Sequence, residues 1–168
     1  MYIGLLSDTH GYLPPGLEEV FRGVDLLLHA GDVGRPEVLW ELETIAPVRA
    51  VWGNVDDWSL RRMLPEWLQE EWEGVRLLMT HIGGRPERLP PAVRERIERS
   101  RAQVFICGHS HVPYVGRWGS TLLLNPGACG REGPHQKLTV MRFRLGQGRL
   151  YDLELVELGD RSSFSGAP

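Results

Sequence analysis

Five short apolar runs mark the first two thirds of the chain, at residues 2–7 (YIGLLS), 25–30 (DLLLHA), 47–52 (PVRAVW), 75–80 (VRLLMT) and 103–107 (QVFIC). Each reads as a buried strand. Between several of them lie stretches with apolar positions three and four residues apart and a proline near the start, at residues 15–22 and 36–45, which predicts helices. Residues 90–101 fit the same pattern: Val93 and Ile97 face one way, and Arg94–Glu98 and Glu95–Arg99 form i,i+4 pairs. From about residue 112 the rhythm changes to VPYVGRW, STLLLN, KLTVMRFRL and RLYDLELVEL, which predicts strands in hairpins. RLGQGRL would be a turn of three or more residues between the last two. A front half alternating strand and helix and a back half of strands together predict a two-layered β core with helices outside.

No repeat, linker or low-complexity tract interrupts this order. One domain is expected over residues 1–158, with residues 159–168 (GDRSSFSGAP) as a frayed tail. The 168 residues suffice for one full core, and no apolar run approaches the ~20 residues of a membrane span. The opening MYIGLLSDTH has no basic start, so no signal peptide is read and a cytoplasmic location is expected. A net charge of −3 offers no global basic field for nucleic acid. Of the two cysteines, Cys107 lies in an apolar run and reads as a buried thiol, and Cys129 lies in a Gly-rich loop. Both are expected to be reduced.

The chemistry sits where the five runs end. They finish in SDTH, HAGD, GN, TH and CGHSH, so Asp8, His10, Asp32, Asn54, His81, His109 and His111 each fall just past a strand's carboxyl end, the edge where sites collect in α/β sheets. Asp8 and His10 are two apart, as are His109 and His111, and in an extended segment such pairs point the same way. A single D-x-H or H-x-H is weak evidence. Five consecutive strand ends with one chemistry point to a shared metal site. Seven candidate ligands exceed the four of one tetrahedral ion, so two divalent ions sharing a carboxylate fit best. Imidazole with carboxylate suits manganese, nickel, cobalt, iron or zinc better than magnesium or calcium.

The ordered set D-x-H, G-D, G-N-x-D, a lone strand-end His and G-H-x-H, followed by Asn125-Pro126-Gly127, resembles the calcineurin-like metallophosphoesterases, in particular their small bacterial and archaeal phosphodiesterase branch. The resemblance runs from about residue 3 to 130. It implies a four-layer αββα sandwich, two mixed β-sheets flanked by helices with the metal site at the strand C-terminal ends. It implies one metal on Asp8, His10, Asp32 and His111 and another on Asp32, Asn54, His81 and His109, with Asp32 bridging. It also implies in-line attack of a metal-bridging hydroxide on a small phosphoester or nucleotide, and small members of the family are often dimers or larger. Asp32, Asn54, Asp56 and His81 are the residues expected at the chemistry. Two positions depart from the family pattern. His81 is followed by Ile82-Gly83-Gly84 rather than by a second histidine. Val55 stands where the family often has His, or Cys in the small branch, so the proton-donating role usually given to that His cannot be carried over.

Other residues have two readings. His29, inside its strand, reads as a core or supporting histidine, and His135 in REGPHQ as a solvated loop residue, with a substrate-side proton donor as the alternative. Asp56 is expected to orient Asn54, and Asp57 to start the next turn or helix. Trp58 and Tyr114 read as packing residues, with base stacking as the alternative. Arg85 reads as part of a solvated Arg/Glu face, with a phosphate clamp as the alternative. The expected activity is phosphodiester hydrolysis, with monoesters and nucleotides left open. A non-catalytic interaction scaffold on the same fold is the competing reading, favoured by Val55 and disfavoured by the full ligand set. A two-metal amidohydrolase barrel would need ~250 residues.

Overall fold

The computed structural model describes residues 1–164. Strands β1 (Tyr2–Leu6), β2 (Leu26–His29) and β3 (Val48–Ala50) run parallel in one sheet. That sheet continues through β9 (Lys137–Gly146) and β10 (Arg149–Asp160) in the order β10-β9-β1-β2-β3. The second sheet has the order β4-β5-β6-β8-β7. Its central β5 (Val75–Thr80), β6 (Val104–Ile106) and β8 (Thr121–Asn125) are parallel, with β4 (Trp67–Trp72) and β7 (Tyr114–Trp118) antiparallel at the edges.

Alternation along each strand builds four layers. Ile3, Leu5, Leu26 and Leu28 meet Leu77, Met79, Val104, Ile106 and Leu124 between the sheets. The opposite faces are apolar too. Leu6 and Leu27 pack with Leu17, Phe21, Val38, Leu39, Leu42 and Leu60 in and around helices α1 (Leu17–Val20), α2 (Pro36–Glu43) and α3 (Trp58–Met63). Leu78, Phe105 and Leu123 pack with Val93 and Ile97 of α4 (Pro91–Ser100). Burial on both faces is why these strands read as continuous apolar runs. The result is an αββα sandwich.

Three expectations are corrected. Strand β4 adds an element that had no clear signature, because an edge strand reading WLQEEW exposes much of its length. The β9–β10 turn has two residues rather than three or more: Gly146 pairs with Arg149 across Gln147-Gly148, both with positive φ (52° and 73°), the pattern of a type I′ hairpin. The same device, Glu73-Gly74, joins β4 to β5. Residues 159–164 lie in regular structure rather than in a frayed segment. Strand β10 continues to Asp160, where Gly159 pairs with Leu138 and Asp160 holds Lys137 at 3.0 Å, and a 3-10 turn follows at Arg161–Phe164. The rest of the expected tail, 165–168, lies outside the described residues.

Candidate metal centre

The parallel strands of both sheets end at one edge of the sandwich, and their loops stay stitched together beyond the last strand bond. Asp8 N–H donates to Gly31 O (3.0 Å), His10 N–H to Asp32 O (3.0 Å) and Gly108 N–H to His81 O (3.0 Å). The two sheets also join here. His109 N–H donates to Asp8 Oδ2 (3.1 Å), and the His81 ring bonds Ala30 O through Nδ1 (2.8 Å). Gly108 makes the approach possible, since a Cβ there would overlap Ser7 Oγ. Residues a hundred positions apart in sequence thus share one small volume.

The expected reason for the D-x-H and H-x-H pairing is corrected. The segments are not extended: Asp8, His10, Asp32, His109 and His111 all have positive φ, between 48° and 66°. Left-handed backbone is uncommon outside glycine and tolerated best by Asn, Asp and His. Each such residue costs on the order of 1–3 kcal/mol and persists where the surroundings over-determine it. Here the stitched loops impose it, and it brings the side-chain donor atoms toward one another.

Donor atoms of Asp8, His10 and His111 lie within 4.8 Å of one another, as do those of Asp32, His81 and His109. The groups adjoin. Asp32 Oδ2 is 3.1 Å from His81 Nε2 and 4.0 Å from His10 Nε2, and Asp8 Oδ1 is 3.1 Å from His111 Nε2 and 3.9 Å from His81 Nε2. His10 and His111 face each other Nε2 to Nε2 at 3.4 Å. Asn54, which is exposed, sits at the mouth: its neighbour Val55 donates its N–H to Asp32 Oδ1 (3.0 Å). Asp56 acts on backbone rather than on the Asn54 side chain, its two oxygens accepting from Gly34 N–H and Gly53 N–H, each at 2.7 Å. That clamps the β3 loop against the β2 loop.

These donors fit a cation. A carbonyl only accepts, so His81 carries its proton on Nδ1, and in the neutral ring Nε2 is a lone pair. That lone pair faces the Asp32 carboxylate in a short contact, while His81 Nε2 and Asp8 Oδ1 are both buried without a hydrogen-bond partner among the described residues. Acceptors facing acceptors in a buried site are costly unless a positive charge lies between them. The charge environment agrees. Burial opposes charge on His81, but the Asp32 and Asp8 carboxylates outweigh it and raise its pKa. Burial likewise works against the Asp32 carboxylate and is outweighed by His81, the Val55 N–H and His10, so its pKa is lowered. Both shifts favour positive charge at the centre.

The family model for the calcineurin-like phosphoesterase superfamily domain matches residues 1–148. The chain belongs to that superfamily. It is 37% identical over 134 residues to a protein named "Probable metallophosphoesterase" from Methanothermobacter thermautotrophicus, covering 76% of this chain and 77% of the relative. It is 30% identical over 147 residues to a phosphodiesterase of Methanocaldococcus jannaschii, covering 77% and 84%. Among solved structures, an archaeal phosphodiesterase superposes with a TM-score of 0.73 at 22% identity over 94% of this chain and all of the other. Vps29 of Entamoeba histolytica in complex with zinc superposes with a TM-score of 0.74 at 17% identity, over 96% and 99%. At these identities the superpositions show the shared fold.

Several supports of this site escaped the sequence reading. Asn125, buried at the end of β8, donates to Gly108 O (2.7 Å) and Ser110 Oγ (3.2 Å) and accepts from Gly127 N–H (2.9 Å). It holds the loop that carries His109 and His111, and the Asn-Pro-Gly run was its only signal. His135 is not a free loop residue: its ring bonds His111 on one side and Gly130 O on the other. Trp58 does not pack inside, being 71% exposed with Arg62 over its ring at 4.5 Å. Tyr114 is half-buried and donates to Gly84 O (3.1 Å), and Asp57 caps α3 through Ser59 N–H and Leu60 N–H. Cys107 and Cys129 are buried free thiols, Cys107 pushed up to about 11 by burial.

His29 has a settled tautomer. Thr9 Oγ1 donates to Val33 O (3.0 Å), so it accepts from His29 Nε2–H (2.9 Å), and Nδ1 accepts from Gly31 N–H (3.2 Å). The neutral ring is fully satisfied and buried, and desolvation lowers its pKa from 6.5 to about 4. As pH falls below 6.5 the unfolded chain takes up this proton and the folded one does not until about pH 4. Unfolding free energy should therefore drop by about 1.4 kcal/mol per pH unit across that window, about 3 kcal/mol in all. Urea unfolding of the metal-free protein at pH 7 and pH 4.5, beside His29→Gln, checks this. A variant as acid-sensitive as the wild type would remove His29 as the cause.

Proposed function

We propose that this chain is a two-metal phosphoesterase acting on phosphodiesters. The observation that carries the reading is the adjoining pair of donor groups, with two buried acceptor atoms left without hydrogen bonds among the described residues. Asp8, His10, Asp32 and His111 would hold one divalent ion and Asp32, Asn54, His81 and His109 the other, with Asp32 shared and manganese the first choice among the transition metals. When bound, two such ions would supply a nucleophile from water near neutral pH and, with only two aspartates to offset them, a positive charge that draws a phosphoryl group. The chain's own part is preorganisation. Val55 N–H fixes the Asp32 carboxylate, His109 N–H fixes Asp8, Ala30 O sets the His81 tautomer, and Asp56 holds the loop that carries Asn54. The M. jannaschii phosphodiesterase supports a diester substrate.

The surroundings suggest what the phosphoryl group is attached to. Val55, Ile82 and Val112 each follow a proposed ligand directly, so their Cα atoms lie within ~3.8 Å of a ligand's Cα. All three side chains are exposed, as is that of Trp58. An apolar rim on three ligand loops favours a substrate with an aryl or alkyl group beside the phosphate. The same rim is what a protein-binding scaffold would show, and it supports that second reading. Metal content measured with a panel of aryl and alkyl diesters, monoesters and nucleotides, under manganese, nickel, cobalt, magnesium and zinc, separates the two. The enzyme should carry two ions per chain and turn over an aryl diester fastest. A fully loaded protein inert across the panel would leave the scaffold.

A further inference from the structure

We propose that His135 is a positioning residue that sets the tautomer of His111 and so presents its Nε2 lone pair to the metal. The inference rests on the metal-site reading above. Two contacts define it. His135 Nε2 lies 2.8 Å from Gly130 O, and His135 Nδ1 lies 3.1 Å from His111 Nδ1. A carbonyl oxygen has no proton to give, so His135 places its own proton on Nε2. In the neutral ring its Nδ1 then accepts, and the only proton that can fill the contact is the one on His111 Nδ1. His111 is left with a bare Nε2, the atom that faces Asp8 Oδ1 at 3.1 Å and His10 Nε2 at 3.4 Å. The order of bonds therefore runs from the Gly130 carbonyl through two imidazoles to the Asp8, His10 and His111 donor group. This does for His111 what the Ala30 carbonyl does for His81, and fixing the second ring nitrogen is how proteins orient histidine ligands.

The loop is shaped for the contact. The two rings meet nearly edge to face, with centroids 5.0 Å apart at 67°. Gly133 has φ 119°, and a Cβ there would overlap His111 Nδ1 and lie 3.2 Å from His135 Nδ1. Residues 131–135 can pass along the back of His111 only because position 133 has no side chain. The same bonds exclude His135 as a substrate-side proton donor, since its one proton is committed to Gly130.

Two variants test the proposal. His135→Phe keeps the ring but removes both polar contacts. His135→Gln can restore them, its amide oxygen accepting from His111 and its NH₂ donating to Gly130 O. The first readout needs no metal. Ring-nitrogen NMR of the metal-free protein above pH 8 should show His111 protonated on Nδ1 in the wild type and in His135→Gln, with the Nε2–H form appearing in His135→Phe. The second readout is titration of the metal-free protein with Co²⁺. His135→Phe should weaken one of two binding events by about 10–100-fold, leave the other unchanged, and be rescued to within a few-fold by His135→Gln. His111 protonated on Nε2 in the wild type would overturn the proposal, as would two unaltered binding events in His135→Phe. Neither readout uses hydrolysis, so a catalytically inert chain would still show whether His135 sets the His111 tautomer.

Discussion

Asp32→Asn should lose metal and hydrolysis together while remaining folded. Asp32 Oδ1 accepts from Val55 N–H, and the asparagine carbonyl can keep that bond. Oδ2 is the atom directed at His81 and His10, at 3.1 and 4.0 Å. An NH₂ there has no lone pair to offer a cation, and it donates straight into the bare His81 Nε2. The substitution therefore removes one ligand and caps another. The amide also turns the acceptor-to-acceptor contact with His81 into a hydrogen bond, so the metal-free variant should still fold. Removing a mere supporting partner costs about 10–100-fold. Loss of the proposed shared ligand should exceed that, roughly 10³-fold in kcat, with metal content falling from the proposed two ions per chain to one or fewer. Near-normal turnover in this variant would refute the shared role of Asp32.

How far the sequence could lead to this site depends on which interactions leave a local trace. The central strands were legible because burial on both faces forces unbroken apolar runs, as in Leu26–His29 and Val75–Thr80. Strand β4 was not, because Glu70 and Glu71 stand on an edge where only part of the surface is covered. The candidate ligands were legible from position, each lying just beyond a strand end. The left-handed backbone of five of them was not, since it is imposed by loops from other strands, and Asp and His adopt it themselves with no glycine at the position as signal. The supporting roles of Asn125 and His135 were missed for a related reason: both act through partners more than ten residues distant, Gly108 and His111. Trp58 was misplaced because hydrophobicity predicts burial only one way, and a rim around a site is where large apolar side chains remain outside.

Val55→His should change which leaving groups depart well. The wild-type side chain at 55 cannot carry a proton, and the carboxylate of the next residue, Asp56, is committed to Gly34 and Gly53 N–H. Leaving groups that depart without a proton, such as aryl oxides, should then react well, and alkyl oxides slowly. The structure makes the exchange a clean one. Position 55 holds Asp32 through its backbone N–H, which histidine supplies equally well. The valine side chain is 52% exposed, so an imidazole meets no packed core. Stability should stay within about 0.5 kcal/mol, as for most surface substitutions. General-acid assistance is worth ~10²–10⁴-fold, so kcat/KM for an alkyl diester should rise by up to that factor while that for an aryl diester moves little. The alkyl rate should also acquire a new fall at high pH as the imidazole loses its proton. An unchanged alkyl-to-aryl ratio, with metal content intact, would show that water already supplies the proton and that the valine has no bearing on substrate preference.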